Sequence, residues 1–238
     1  MPLDVRFGAV TTIHINRPAA ANAFTAAMWG ELIERCRDIR ARPDVRVVVL
    51  SAEGRHFSSG ADTREFADAY ADPASTQRYN ALYRDAVRAV GALEMPVIAA
   101  VQGLAIGGGT ALATAADLRF CAAEAGFSIT ASKLGIAYSP DDSARLVGLI
   151  GRARAKDMLF STRIVAAGEA LSWGLADRVL PQEALSAAVA VYAQELAARP
   201  ARSLASCKRI VDGISAVPDE RTAPLWQVYA GAFGAPNA

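Results

Sequence analysis

The sequence predicts an α/β fold in which strand–helix units give way to a run of helices, on three observations. Residues 95–116 read MPVIAAVQGLAIGGGTALATAA: an apolar stretch, Val97 to Val101, opened by Pro96 and closed by Gln102-Gly103, then Gly107-Gly108-Gly109 leading into a helix of small side chains. Earlier, Val45 to Leu50 reads as a second buried strand and feeds a polar loop that ends at another helix start. From Pro181 onward the pattern is helical, broken by Pro200, Gly213 and Pro218. This order gives a core over residues 1–180 and a helical region over 181–238.

In chain order, Gly8 to Ile15 alternates, with Ile13 and Ile15 on one face and Thr12 and His14 on the other, as in a half-buried strand. Asn16-Arg17-Pro18 breaks it. Thr25 is the expected N-cap of a helix to about Ala41, whose Met28, Leu32, Cys36 and Ile39 recur at core spacing. After the strand at Val45 to Leu50, Asp62 is the expected N-cap of a helix starting Thr63-Arg64-Glu65. Ala67 to Thr76 reads as a loop and Gln77 to Leu93 as a helix with Leu82, Ala86, Ala89, Val90 and Leu93 on its apolar face. Leu118 to Cys121 is a short strand, and Phe127 to Leu134 contains an extended stretch. Residues 135–142 form a loop before a helix at Ser143 to Ile150, which Gly151 separates from a helix at Arg152 to Phe160. A short helix at residues 168–175 stops at Gly174.

A chain of 238 residues with net charge +1 buries a sizeable interior and offers no charge bias toward nucleic acid or an anionic membrane. Three cysteines, Cys36, Cys121 and Cys207, lie far apart without C-x-x-C spacing, which points to a reducing cytosol and away from a zinc site. The N-terminus lacks the shape of a signal peptide, and no apolar run is long enough to span a bilayer. A cytoplasmic location is expected.

The two small-residue turns are the candidate site. Each lies just past the C-terminal end of an apolar strand and opens a helix, which leaves free backbone N–H groups at the positive end of a helix dipole. Glycines there let an anionic or polarised oxygen approach the amides, or equally let a helix pack closely on a sheet. The glycines match neither G-x-x-x-x-G-K-[ST] nor G-x-G-x-x-G.

Taken together, Asn16-Arg17-Pro18 with Asn22-Ala23, Phe57-Ser58-Ser59-Gly60-Ala61-Asp62, Gly103-x-x-x-Gly107-Gly108-Gly109, Leu134-Gly135 and Ala170-x-x-x-Gly174-Leu175-Ala176-Asp177 resemble the crotonase (enoyl-CoA hydratase/isomerase) superfamily over nearly the whole chain. The resemblance implies a spiral of β-β-α units with a C-terminal helical trimerisation region, as trimers that often pair into hexamers. It implies an acyl-CoA substrate, no metal, and no cofactor beyond the CoA moiety. By position, the thioester carbonyl would sit between the backbone amides of Ala61 and Gly108, an oxyanion hole for the enolate. Ser59, Gly60, Asp62, Thr63 and Arg64 fall where the family lines the CoA moiety. Lys208 reads either as a solvated helix lysine or as the basic residue that members offer to a CoA phosphate.

The chain also departs from that pattern. The two glutamates that hydratases of the family use as acid and base fall, by position, on Ala111 and Ala131, and an alanine methyl moves no proton. Ordinary hydration is therefore not expected. The loop after Leu134-Gly135 offers Tyr138, Ser139, Asp141 and Asp142 instead. Asp141 suits an isomerase and Tyr138 a decarboxylase-like member, while acidic residues before a helix also serve as caps. His56 reads as packing or CoA contact. A catalytically silent acyl-CoA-binding protein is the alternative. The C-terminus at residues 233–238 stops short of the last helix of most members, so a neighbouring subunit is expected to close one wall of the pocket or leave it open.

Overall fold

The structure, a computed structural model, describes residues 1–214. The rest of the expected helical region and the shortened C-terminus lie outside the described residues. One sheet has six strands in the order β1-β2-β3-β4-β6-β9, formed by β1 (Leu3–Arg6), β2 (Val10–Ile15), β3 (Val47–Ala52), β4 (Val97–Val101), β6 (Leu118–Ala122) and β9 (Arg178–Leu180). Only β1 runs antiparallel to its neighbour. A second sheet has the order β5-β7-β8, from β5 (Leu104–Ile106), β7 (Gly126–Ser128) and β8 (Val165–Ala166). Isolated bridges extend it, Ser58 pairing with Ala105 and Phe24 with Ala61.

The helices are α1 (Ala26–Arg40), α2 (Phe66–Ala69), α3 (Pro73–Gly91), α4 (Gly108–Ala115), α5 (Pro140–Ser161), α6 (Ala167–Trp173), α7 (Gln182–Ala197) and α8 (Ala201–Gly213). The chain therefore repeats one step: a strand in the first sheet, a short pairing in the second, then a helix. β2, the Phe24 bridge and α1 make one turn; β3, the Ser58 and Ala61 bridges and α3 the next. β4-β5-α4 and β6-β7-α5 continue the spiral.

Local chemistry explains the helix starts. Thr25 accepts a hydrogen bond from the Met28 N–H (3.2 Å), and Met28, Trp29, Leu32, Cys36 and Ile39 turn into the core. All five residues of β4 are buried because both faces of the sheet are covered. Val48, Leu50, Val97, Ala99 and Val101 face the helices of the spiral. Val49, Ile98, Ala100 and Phe120 instead meet Leu185, Val189 and Ala193 of α7. Asp177 closes the last turn: it accepts from the Arg119 N–H (2.7 Å) and pairs with the buried Arg119 guanidinium (2.7 Å).

Several expectations are corrected. Residues 67–76 are not a loop, since α2 occupies Phe66–Ala69 and Asp72 caps α3 by accepting from the Ser75 N–H (2.9 Å), with Pro73 in the first turn. The buried stripe of α3 is Tyr79, Ala86, Val87 and Val90; Leu82 and Ala89 are half-buried. The extended stretch expected within residues 127–134 is present as the end of β7, at Phe127 and Ser128, and Ala131–Leu134 is a 3-10 turn. Ser139, not a residue near Ser143, begins α5, because its hydroxyl accepts from the Asp142 N–H (3.1 Å) and Pro140 fits the first turn. Gly151 breaks that helix with φ 78°, as its position in the sequence predicts.

Candidate active site

A cavity of about 560 Å³ opens between the two small-residue turns, α3 and the segment before α5. Ser59, Ala61 and Thr63 line it from the first turn, and Gly107 and Gly108 from the second. The rest of the wall is largely aromatic and aliphatic, with Phe66, Tyr70, Tyr79 and Tyr83 from the α2–α3 region and Ile129, Ile136 and Tyr138 from the chain before α5.

The two turns touch. Gly60 has φ +88°, and a Cβ there would lie 2.5 Å from the Ile106 carbonyl oxygen and 2.8 Å from the Gly108 nitrogen. Only glycine allows that approach, which sets Ala61 beside Gly108. Asn22 holds the first turn from behind, its Nδ2 donating to the carbonyls of Glu53 (2.8 Å) and His56 (2.7 Å). Ser58 donates to the Asn22 carbonyl (2.7 Å) and accepts from the Gly60 N–H (3.1 Å). The Gly108 N–H opens α4 and so has no acceptor within that helix.

Asp62 caps the turn Thr63–Glu65 as expected, but its carboxylate is turned inward rather than into the cavity. Arg64 donates to it from Nε (2.9 Å) and Nη2 (2.6 Å), and Arg17 from Nη1 (2.8 Å). The Arg64 hydrogen bonds first, and that of Arg17 after them, hold its carboxyl far below the usual range against the opposing effect of burial. His56 pins the loop to β5 by accepting from the Leu104 N–H at Nδ1 (3.2 Å), which fits the packing role read from sequence.

The segment after Leu134-Gly135 divides. Tyr138 lines the cavity, and burial drives its phenol well above its ordinary value, with Asp142 adding to the rise. Asp141 points instead to Arg88, 2.8 Å from its Nε, and is absent from the cavity wall. Asp142 lies behind that wall at 1 % exposure. Its Oδ2 accepts from the hydroxyls of Tyr83 (2.8 Å) and Ser139 (2.6 Å), and its Oδ1 pairs with Arg145. Burial, then Tyr138 and Asp142, push the Tyr83 phenol well above its ordinary value. Tyr83 was not singled out in the sequence. Its signal was there, because Tyr79, Tyr83, Ala86 and Val90 fall at i, i+4, i+7 and i+11 on one face of α3.

Ala131 lines the cavity, and Ala111 is fully buried in α4. Lys208 is not brought to this site within the chain. Its Nζ donates to Asp117 Oδ2 (2.8 Å) and the Met95 carbonyl (3.3 Å), at the start of β4 and beyond the C-terminal end of α4. It is also not a solvated lysine, with its side chain only 10 % exposed. Among the described residues there is no cluster of three or more His, Cys, Asp or Glu side chains placed to hold a metal, and no helix long and apolar enough to cross a membrane.

Comparison with known proteins gives a consistent picture. Residues 6–223 match the family described as Enoyl-CoA hydratase/isomerase. A carnitinyl-CoA dehydratase of Citrobacter koseri is 35 % identical over 216 residues, covering 90 % of this chain and 81 % of that protein. The 4-chlorobenzoyl coenzyme A dehalogenase-2 of an Arthrobacter species is 32 % identical over 231 residues, covering 96 % and 84 %. The crystal structure of an enoyl-CoA hydratase from Mycobacterium smegmatis superposes with a TM-score of 0.92 at 28 % identity, covering 99 % of this chain and 92 % of that one.

Proposed function

This chain belongs to the enoyl-CoA hydratase/isomerase family and is an acyl-CoA enzyme of that kind; from that premise we propose that it stabilises a thioester enolate between the amides of Ala61 and Gly108. The observation that carries the reading is the contact between the two turns, with the Gly108 nitrogen 2.8 Å from where a Gly60 side chain would begin. The reading gives the two amides, both from residues that line the cavity, one oxygen to hold, and a lost donor in such a hole typically costs about 10²–10³ in rate. Ser59 and Thr63 continue the wall toward the CoA moiety. No metal or further cofactor takes part in this proposal.

Hydration is not the proposed reaction. By the family resemblance, Ala111 and Ala131 fall where a hydratase carries its acid and base, and each such group contributes about 10²–10⁴-fold. The named relatives include a dehydratase and a dehalogenase, so different chemistries on CoA thioesters are associated with sequences this similar. Calorimetric titration with acetyl-CoA and crotonyl-CoA tests the binding mode. Saturable binding is expected, weakened in Gly108→Pro, which removes one donor in the first turn of α4 and also brings a ring against Trp29 and Tyr83, 3.3 Å from the Cβ position. No saturable binding by the wild type at millimolar ligand refutes the reading. Loss of the conjugated absorbance of crotonyl-CoA should be slower than with a two-glutamate hydratase by several orders of magnitude, about the product of two such contributions. Ordinary hydratase rates would return hydration to this site.

A further inference from the structure

We infer that Tyr83, oriented by Asp142, is the group that moves the proton in this site. The inference rests on the acyl-CoA reading above and names the residue that does the work the two alanines cannot.

Tyr83 reaches the cavity from α3, outside the segment in which a proton carrier was sought, and its hydroxyl meets Asp142 of that segment. A side chain on Gly108 would begin 3.3 Å from Tyr83 Cε2, the ring carbon next to the one bearing the hydroxyl. The ring edge therefore lies beside Gly108, whose amide is the proposed donor to the thioester oxygen. Trp29 meets the ring edge-on with centroids 5.1 Å apart and is itself fully buried, so the ring has little freedom to turn away.

The hydroxyl is committed in a useful direction. It donates its proton to Asp142 Oδ2 at 2.8 Å, which leaves lone-pair capacity on the phenol oxygen for a group in the cavity. Asp142 is too buried to meet a substrate, at 1 % exposure, and its two oxygens are fixed by Ser139 and Arg145. It is a positioning residue that acts through Tyr83. Among the described residues, Tyr83 is the cavity-lining phenol with a carboxylate acceptor; the Tyr70 hydroxyl reaches Asn80 at 3.5 Å.

The step balances without a co-reactant. The α C–H bond of the acyl group breaks and its electron pair moves onto the thioester oxygen as the enolate. The proton goes to Tyr83 Oη as the phenol proton passes to Asp142 Oδ2. Return of a proton to the α carbon restores the substrate, and delivery to a conjugated carbon gives an isomer. Ser139 touches both Asp142 and the cavity, and it offers the proton a route to solvent.

Hydrogen exchange reads this step directly. Phenylacetyl-CoA and butyryl-CoA are incubated with the protein in D₂O, α-deuterium is followed by mass spectrometry, and affinity is measured separately by calorimetry. Wild type should exchange; Tyr83→Phe should lose about 10²-fold or more of the exchange rate while affinity is retained. Asp142→Asn should do the same, a split that a merely structural contact would not produce. Should Asp142→Asn fail to fold, Tyr83→Phe decides alone, since it deletes one oxygen and keeps the ring against Trp29. Wild-type exchange in Tyr83→Phe overturns the inference and leaves the enolate reading intact. Binding without exchange by the wild type overturns the inference and leaves acyl-CoA binding standing. Absence of binding removes the acyl-CoA reading and this inference together.

Discussion

Asp62 is 5 % exposed and sits between the guanidinium groups of Arg64 and Arg17, one residue after a proposed oxyanion donor. Its folded-state carboxyl lies well below the ordinary 3.8 because those charge-assisted bonds favour the ionised form. The sign follows from linkage. A group whose pKa is lowered on folding contributes stability in full above its unfolded value and loses it as pH falls through that value toward the folded one. Asp62→Asn should therefore melt at a lower temperature than wild type at pH 7, and the gap should narrow at pH 3. An unchanged gap at the two pH values would mean that the carboxylate charge does not hold this turn. The motif Asn16-Arg17-Pro18 with Asn22 thereby acquires a physical meaning that its letters lacked. Arg17 reaches Asp62, and Asn22 ties the carbonyls on either side of the loop that precedes Ala61.

The helix α4 and its glycines make an opposite pair with α5. A Cβ on Gly109 would overlap the Ser58 carbonyl oxygen, whereas Gly148, in the exposed middle of α5, has nothing within 4 Å of its virtual side chain. Gly109→Ala should destabilise by about 1–3 kcal/mol as an overpacked contact, and Gly148→Ala should stabilise by about 1 kcal/mol through helix propensity. Urea denaturation of both variants checks the two signs, and a neutral Gly109→Ala would mean that the turns do not pack as closely as they stand here. The same elements show what was legible in the sequence. Apolar runs, caps and glycine stops were readable, so β2, α1, β4, α4 and α6 fall close to their expected places. β1 and β5 were missed because each has too few residues to show a period. The loop after Gly135 was misread at one point: helix α5 starts at Pro140, which turns Asp141 and Asp142 about 100° apart. One faces Arg88 and the other Tyr83, and no spacing in the sequence separates two adjacent aspartates. The two turns were found correctly, but their contact through Gly60 exists only once the spiral has closed.

The surface of the described residues carries large apolar side chains that stay exposed. Phe160 is 75 % exposed, Ile164 54 % and Leu171 45 %, and the three flank the ion cluster that Arg163 makes with Asp157 (2.8 Å) and Glu169 (2.7 Å). On α7 and just past α8, Val191 and Ile214 are 61 % and 57 % exposed. No residue of α8 is fully buried, although Lys208 packs against Asp117 and the Met95 carbonyl. Burial of one such side chain contributes about 1.5–3 kcal/mol, so several of them held in water favour association between copies. The family resemblance makes the expected assembly a trimer, or a pair of trimers. Light scattering on a sizing column should give a mass three or six times that of the chain. Phe160→Glu places a charge in the patch without touching the buried core, and it should shift that mass toward the monomer while leaving the circular dichroism unchanged. A wild type that remains monomeric at micromolar concentration refutes the assembly. An intact trimer in Phe160→Glu would move the interface away from α5, toward the exposed apolar residues of α7 and α8.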